Sequence, residues 1–347
     1  MDNPLANDLD YILSKTGDLW EELRGKRIFI TGGTGFFGCW LLESFCWVNK
    51  KLELNAEAWV LTRNPEGFKE KCPHIASDPN IILCKGDIAT FMFPAGNFPF
   101  IIHACGIVNE SNASEMLDTI IHGTHKTLEF ARQAGTEKFI LTSSGAVYGK
   151  QPPEIEQLAE TYSGAPDTMN PHWFYGECKR CAELLCAIYS KSYSIEMKIA
   201  RCFAFVGPYL PLDIHFAIGN FIRDSLKGGP IIIEGDGTPY RSYLYAADLA
   251  VWLWTILFKG KDIRPYNVGS SDQISIKELA NKIAIFSTPA SSVIVKTKTR
   301  PGNPIERYVP NILRAREELH LTESVSIDDA IRKTISWNKS HFIMRRT

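Results

Sequence analysis

Arg27-Ile28-Phe29-Ile30-Thr31-Gly32-Gly33-Thr34-Gly35-Phe36-Phe37-Gly38 decides the fold. The first five residues form an apolar, β-branched run of strand length. The glycines then make a tight turn before Cys39–Val48, which reads as a helix. A strand that turns through glycines into a helix brings free backbone N–H groups and the positive end of a helix dipole to one point. That point favours a phosphate. Gly32 permits the turn, Gly35 lets backbone approach a diphosphate, and Gly38 lets helix and strand pack closely. Thr34, Phe36 and Phe37 complete the loop around such a ligand.

Outward from this stretch, short apolar runs alternate with amphipathic ones. Strands are expected at Arg27–Thr31, Glu57–Thr62, Ile81–Lys85, Phe100–Ala104, Lys138–Thr142 and Met197–Arg201. Near-continuous apolar strands suit a parallel sheet covered on both faces. Between them Leu117, Ile120, Ile121, Thr124, Leu128 and Ala131 recur at helical spacing, and Gly135 supplies a stop. The alternation predicts an α/β fold, a doubly wound parallel sheet with right-handed crossovers. Its ligands would bind beyond the carboxyl ends of the strands. After Arg201, shorter elements punctuated by Gly and Pro predict a smaller C-terminal substrate-binding lobe. The expected division is a helical extension at 1–24, a dinucleotide-binding domain at 25–202 plus about 243–270, and a lobe at 203–242 plus 271–347.

Length and composition bound the function. The chain has 347 residues, 45% of them hydrophobic and 22% charged, which suits a soluble globular protein of about two domains. A net charge of −1 offers no field for nucleic acid or an anionic membrane, so any phosphate must meet a few placed cations. Leu249–Phe258 is apolar but much shorter than the about 20 residues that span a bilayer, and it is read as a core helix. Nine cysteines without a disulfide-like pattern, and a start lacking a basic-then-apolar export signal, predict a cytoplasmic protein. Cys178 and Cys181 form a C-x-x-C without a second ligand pair, so no metal is expected.

Around the glycine turn, three further positions bear on the cofactor. The second strand ends at Thr62-Arg63, where an NAD-selective site usually places an acid for the ribose hydroxyl. Arg63 could pair with a 2′-phosphate, stack on adenine, or face solvent. Asp87, in Gly86-Asp87-Ile88, is placed either to accept from an adenine amine or to shape its own turn. Ile88 and Ala104 follow at the ends of the third and fourth strands.

Tyr175-Gly176-Glu177-Cys178-Lys179 puts a phenol and an ammonium one helical turn apart, facing one ligand. Taking a hydride from an alcohol carbon requires removing its hydroxyl proton. A phenol titrating near about 10 is too weak a base at neutral pH. The ammonium and a positive nicotinamide are expected to lower it. Tyr175 is therefore the expected base and Lys179 its tuner, also placed to hold the nicotinamide ribose. Ser144, at the end of the fifth strand, would orient the reacting oxygen.

The glycine turn, Gly86-Asp87-Ile88, Ser143-Ser144-Gly145-Ala146-Val147-Tyr148-Gly149 and Tyr175–Lys179 occur in one characteristic order. In this the chain resembles the extended short-chain dehydrogenases/reductases, which include nucleotide-sugar epimerases, dehydratases and ketoreductases. The resemblance covers about residues 25–320 and implies a Rossmann sheet, NAD or NADP, and a nucleoside-diphosphate sugar as substrate. Tightly bound NAD is favoured by the reaction type and NADP by Arg63. The resemblance also implies that Arg241, Arg300 and Asn220 meet the nucleotide sugar. A homodimer would form through the tyrosine-lysine helix, where Ala182, Leu185, Cys186 and Tyr189 make either the dimer face or intramolecular packing.

Departures from the family pattern narrow the reaction. Relatives that dehydrate sugars carry Asp-Glu after the catalytic hydroxyl residue, and the decarboxylating branch keeps the Glu. This chain has Gly145-Ala146, and neither can transfer a proton. Ala204, Ser242 and Trp173 also replace an asparagine, an aspartate and a serine of the pattern. A nucleotide-sugar 4-epimerase working through a 4-keto sugar is the leading expectation. An NADPH-dependent 4-keto-sugar reductase and an atypical 4,6-dehydratase using Glu177 follow. A dinucleotide sensor without chemistry is the reading from another class.

Overall fold

A computed structural model describes residues 3–106, 112–214, 216–288, 290–298, 302 and 304–344. Seven strands form one parallel sheet: β1 Arg27–Thr31, β2 Glu57–Thr62, β3 Ile81–Lys85, β4 Phe100–His103, β5 Lys138–Ser144, β6 Glu196–Cys202 and β7 Arg264–Val268. Their spatial order is β3-β2-β1-β4-β5-β6-β7. The sheet is therefore wound outward from β1 in one direction and from β4 in the other. The crevice where the winding reverses opens at the carboxyl ends of β1 and β4.

Alternation along β1 shows why its residues are apolar on both sides. Ile28 and Ile30 join a core with Trp40, Leu253 and Trp254. Phe29 joins the opposite core with Phe98, Phe130 and Phe139. The first core is covered by helix α2 (Phe36–Lys51) and helix α5 (Ala246–Lys259); the second is covered by α3 (Gly123–Gln133) and α4 (Phe174–Tyr193). α5 contains the expected apolar run and is buried from Ala246 to Phe258. Among the described residues no helix is long and apolar enough to cross a membrane.

The N-terminal segment forms helix α1 (Ala6–Thr16). Trp20 packs against Trp254 at 4.4 Å between ring centroids. The Tyr245 hydroxyl donates to Asp8 at 2.7 Å, and Lys333 pairs with the same carboxylate. Tyr11 donates to buried Asp248 at 2.6 Å. These polar ties are satisfied within the fold, so the segment reads as packing.

Past β6, a three-stranded sheet joins Gln273–Ser275, Tyr240–Ser242 and Arg307–Tyr308. Its second and third strands run parallel and place Tyr308 opposite Arg241. The helix Ile276–Phe286 starts on a reciprocal Ser275–Glu278 capping box. All nine cysteines are free thiols.

Candidate active site

A cavity of about 1550 Å³ lies between the carboxyl ends of the sheet and the Tyr240–Ser242 and Arg307–Tyr308 strands. Thr31, Gly32, Thr34, Gly35, Phe36 and Phe37 line its cofactor end. Gly32 has φ of 69°, and a Cβ there would stand 2.4 Å from the Ala104 carbonyl oxygen. Gly38 lies beneath the turn rather than in the cavity wall. A Cβ at Gly38 would come within 2.2 Å of the Gly33 backbone. No side chain caps the start of α2 at Gly35, which leaves its first N–H groups for a ligand. The close backbone and uncapped helix fit a dinucleotide diphosphate.

Beside this turn are two residues that sequence reasoning passed over. Lys71 donates from Nζ to the Thr34 carbonyl at 2.9 Å and lines the cavity, placing a cation next to the turn. His103, at the end of β4, is fully buried between the Thr31 and Thr124 hydroxyls at 2.8 and 3.0 Å. Burial, with Lys179 adding to it, pushes its pKa down to about 3. It is a neutral strut under the turn. A polar residue ending an apolar strand was its only signal.

Arg63, Asp87, Ile88 and Ala104 all reach the cavity. Arg63 is largely exposed and stands 3.5 Å from the Glu115 carboxylate. Asp87 accepts from the Ala89 N–H at 2.9 Å, so one of its oxygens shapes its own turn.

At the other end, β5 runs two residues beyond its expected stop and delivers Ser144 to the cavity. The Ser144 Oγ accepts from the Ala146 N–H at 3.1 Å. α4 supplies Tyr175 and Lys179 to the same wall. The buried Lys179 ammonium donates to the Thr142 carbonyl at 2.9 Å and stands 5.9 Å from the Tyr175 ring centroid. Below, Ser143 donates to Glu183 at 2.5 Å, and Glu183 pairs with Arg201 at 2.7 Å. This ion pair ties α4 to β5 and β6.

The lowering expected at Tyr175 counts on a bound nicotinamide as well as on Lys179; the protein's own groups alone leave its pKa raised. Burial pushes it up to about 12, and a hydrogen bond with Ser144 offsets only part of that. Lys179 is itself pushed down by burial. Desolvation penalises both charged forms, and the residue motif alone does not reveal how deep the pair lies.

Arg241 and Asn220 line the substrate end. Arg241 donates to the Tyr240 carbonyl at 2.8 Å, and Asn220 accepts from Arg223 at 3.1 Å. Trp173 and Ala204 are also in the wall. Ser242 is fully buried and its hydroxyl has no protein partner. Arg300 lies outside the described residues. Glu177 is not part of the wall; it sits 3.7 Å from Arg180. Tyr308, another residue unread in the sequence, enters from the lobe strand and reaches Ser144.

The profile of the NAD dependent epimerase/dehydratase family matches residues 28–269, most of the chain. The chain belongs to that family. The family is one of NAD-dependent enzymes. The chain's similarity to UDP-glucuronic acid decarboxylase 1 of Arabidopsis thaliana is 29% identity over 312 residues, covering 89% of this chain and 69% of that one. The Xenopus tropicalis UDP-glucuronic acid decarboxylase 1 is 28% identical over 90% of this chain and 72% of its own. UDP-glucuronic acid 4-epimerase from Bacillus cereus, solved with NAD, superposes with a TM-score of 0.76 at 22% identity. The match covers 90% of this chain and 99% of the other. The dTDP-glucose 4,6-dehydratase DesIV of Streptomyces venezuelae gives 0.76 at 23%, covering 92% and 98%. These structures share the doubly wound fold described above.

Among the described residues no cluster of His, Cys, Asp and Glu could hold a metal ion.

Proposed function

We propose that this family member is a nucleoside-diphosphate-sugar 4-epimerase working through a 4-keto sugar. The observation that carries the reading is the wall beside Ser144. Gly145 and Ala146 follow it, and the room left at Gly145 is taken by the neutral Tyr308 phenol and the Phe203 ring, neither of them a carboxylate. Dehydration and decarboxylation also need proton transfers at the carbon next to the one oxidised. Epimerisation needs only the alcohol proton and the hydride to move, and the keto sugar to turn within the cavity of about 1550 Å³.

In this reading Tyr175 takes the C4 hydroxyl proton, and Ser144 hydrogen-bonds the same oxygen. Lys179, held by the Thr142 carbonyl, holds the nicotinamide ribose and keeps its positive charge beside the phenol. A bound oxidised nicotinamide would supply a hydride acceptor for C4 and a positive charge that favours phenolate at Tyr175. Arg241 meets the diphosphate through its planar fork. UDP-glucuronic acid, the substrate of the similar decarboxylases and epimerase, is the first candidate sugar.

Incubating the enzyme with UDP-glucuronic acid and UDP-glucose in deuterium oxide tests this. The C4 epimer should form with protium kept at C5. Deuterium at C5, or loss of carbon dioxide or water, would overturn the epimerase reading. Tyr175→Phe should lower turnover by about 10²- to 10⁴-fold, the usual share of acid–base catalysis, while retaining bound dinucleotide. Arg63, at the end of β2, favours a second reading, an NADPH-dependent 4-keto-sugar reductase. That enzyme would consume one NADPH per turnover.

The homodimer belongs to the same proposal, with a changed face. Ala182, Cys186 and Tyr189 are buried in the chain's own core. Leu184, Ile188 and Tyr193 of α4 are 62, 49 and 48% exposed instead. Light scattering at micromolar concentration decides it.

A further inference from the structure

We propose that Tyr308 is a third hydroxyl of the catalytic centre, donating to the sugar at the substituent next to the carbon that is oxidised. The inference rests on the nucleotide-sugar reading above and adds a residue to its substrate contacts. Its first support is position. The Tyr308 hydroxyl lies 2.7 Å from where a Cβ at Gly145 would stand, in the cavity wall. Together with the edge of the Phe203 ring it fills the space of the side chain that would follow Ser144 just past β5. Ser144 meets the oxygen of the reacting carbon, so a group one residue further along the wall faces the neighbouring carbon.

The second support is how rigidly the phenol is held. Its ring lies on Phe203 at 4.7 Å between centroids. The preceding residue, Arg307, stacks over Tyr240 at 5.5 Å and donates to the Pro153 carbonyl at 3.4 Å. Strand register sets Tyr308 opposite Arg241. The arginine aimed at the diphosphate and the phenol aimed at the sugar are therefore neighbours on one strand pair.

The third support is what surrounds the phenol. Tyr308 shares the cavity wall with Ser144 and Tyr175. The Ser144 Oγ accepts from the Ala146 N–H and keeps its proton and a second lone pair for a ligand. Tyr308 is the phenol placed to donate to a second oxygen, because Tyr175 is needed at the reacting one. Burial keeps the Tyr308 phenol neutral, its pKa raised. It can donate to an oxygen but cannot pull a proton from carbon, as epimerisation requires.

Tyr308→Phe keeps the ring on Phe203 and removes only the hydroxyl. With dinucleotide-loaded enzyme, affinities for UDP and for UDP-glucuronic acid are measured by calorimetry, and turnover is followed in parallel. UDP affinity and dinucleotide content should stay within about twofold of wild type. The extra affinity due to the sugar should fall by about three- to tenfold, the worth of one hydrogen bond, and kcat should fall as well. Gly145→Ala, whose methyl would press on both the Tyr308 hydroxyl and the Phe203 ring beneath it, should give the same split between UDP and the nucleotide sugar. A UDP-to-sugar affinity ratio unchanged by Tyr308→Phe overturns the proposal, as does a wild type for which the sugar adds nothing to UDP. If wild type binds the sugar but makes no epimer, the epimerase reading fails separately, and the affinity ratio still decides Tyr308.

Discussion

Replacing His103 with glutamine should remove part of the protein's sensitivity to acid. His103 is wholly buried under the dinucleotide turn, bridging Thr31 and Thr124 through both ring nitrogens. Its folded pKa is about 3, whereas an unfolded histidine titrates near about 6.5. The unfolded chain therefore binds the proton first as pH falls. The stability tied to neutral His103 is complete above about pH 6.5 and drains away down towards about pH 3. At pH 5 the gap to 6.5 is about 1.5 pH steps at about 1.36 kcal/mol each, or about 2 kcal/mol. Glutamine bridges two hydroxyls and does not titrate. Urea unfolding of wild type and His103→Gln at pH 7 and pH 5 isolates the effect. Wild type should lose about 2 kcal/mol more than the variant between the two. His74, raised by Glu43, shifts stability the opposite way, but equally in both proteins. Equal losses in the two would refute a neutral, desolvated His103.

Two other perturbations follow from the packing around the site. Gly38→Ala would drive a methyl to 2.2 Å from the Gly33 backbone, where no flexible side chain can yield; purified variant should carry no dinucleotide, seen by chromatography after denaturation. Glu183→Ala should destabilise by about 3–5 kcal/mol, because Arg201, 15% exposed, would lose its partner; an unchanged melting temperature would show the pair to be dispensable.

Much of the sheet could be read because parallel strands buried on both faces have few polar interruptions. β1, β2 and β3 fall where the apolar runs place them. β5 overran its expected end because Ser143 and Ser144 interrupt the apolar pattern while the ladder to β6 continues. β7, Arg-Pro-Tyr-Asn-Val, escaped as a strand since a sheet edge tolerates proline and leaves little period to see. The cofactor turn was legible from local conformational needs, as at Gly32. The apolar face of α4 stayed open between a dimer contact and the core for a different reason. Helical spacing groups residues by face but does not say which face the sheet covers, and Ala182 and Cys186 went inward.

What the sequence could not reveal is mostly the content of the wall opposite Ser144. Gly145-Ala146 reads locally as empty room, and the conclusion that no carboxylate follows Ser144 stands. The room is nevertheless occupied, because a two-residue strand far along the chain carries Tyr308 into it. Two residues have no periodicity to detect, and their contact exists only once the lobe strands are paired. The same pairing sets Arg241 beside Tyr308, so under the proposed function a nucleotide sugar held by its diphosphate would be positioned by the strand pair that bears the phenol. A shift of that pair would therefore disturb binding and chemistry together, and a substitution at Arg241 should weaken turnover as well as affinity. Removing only the Tyr308 hydroxyl should leave UDP binding intact, and this asymmetry separates the strand pair's two tasks.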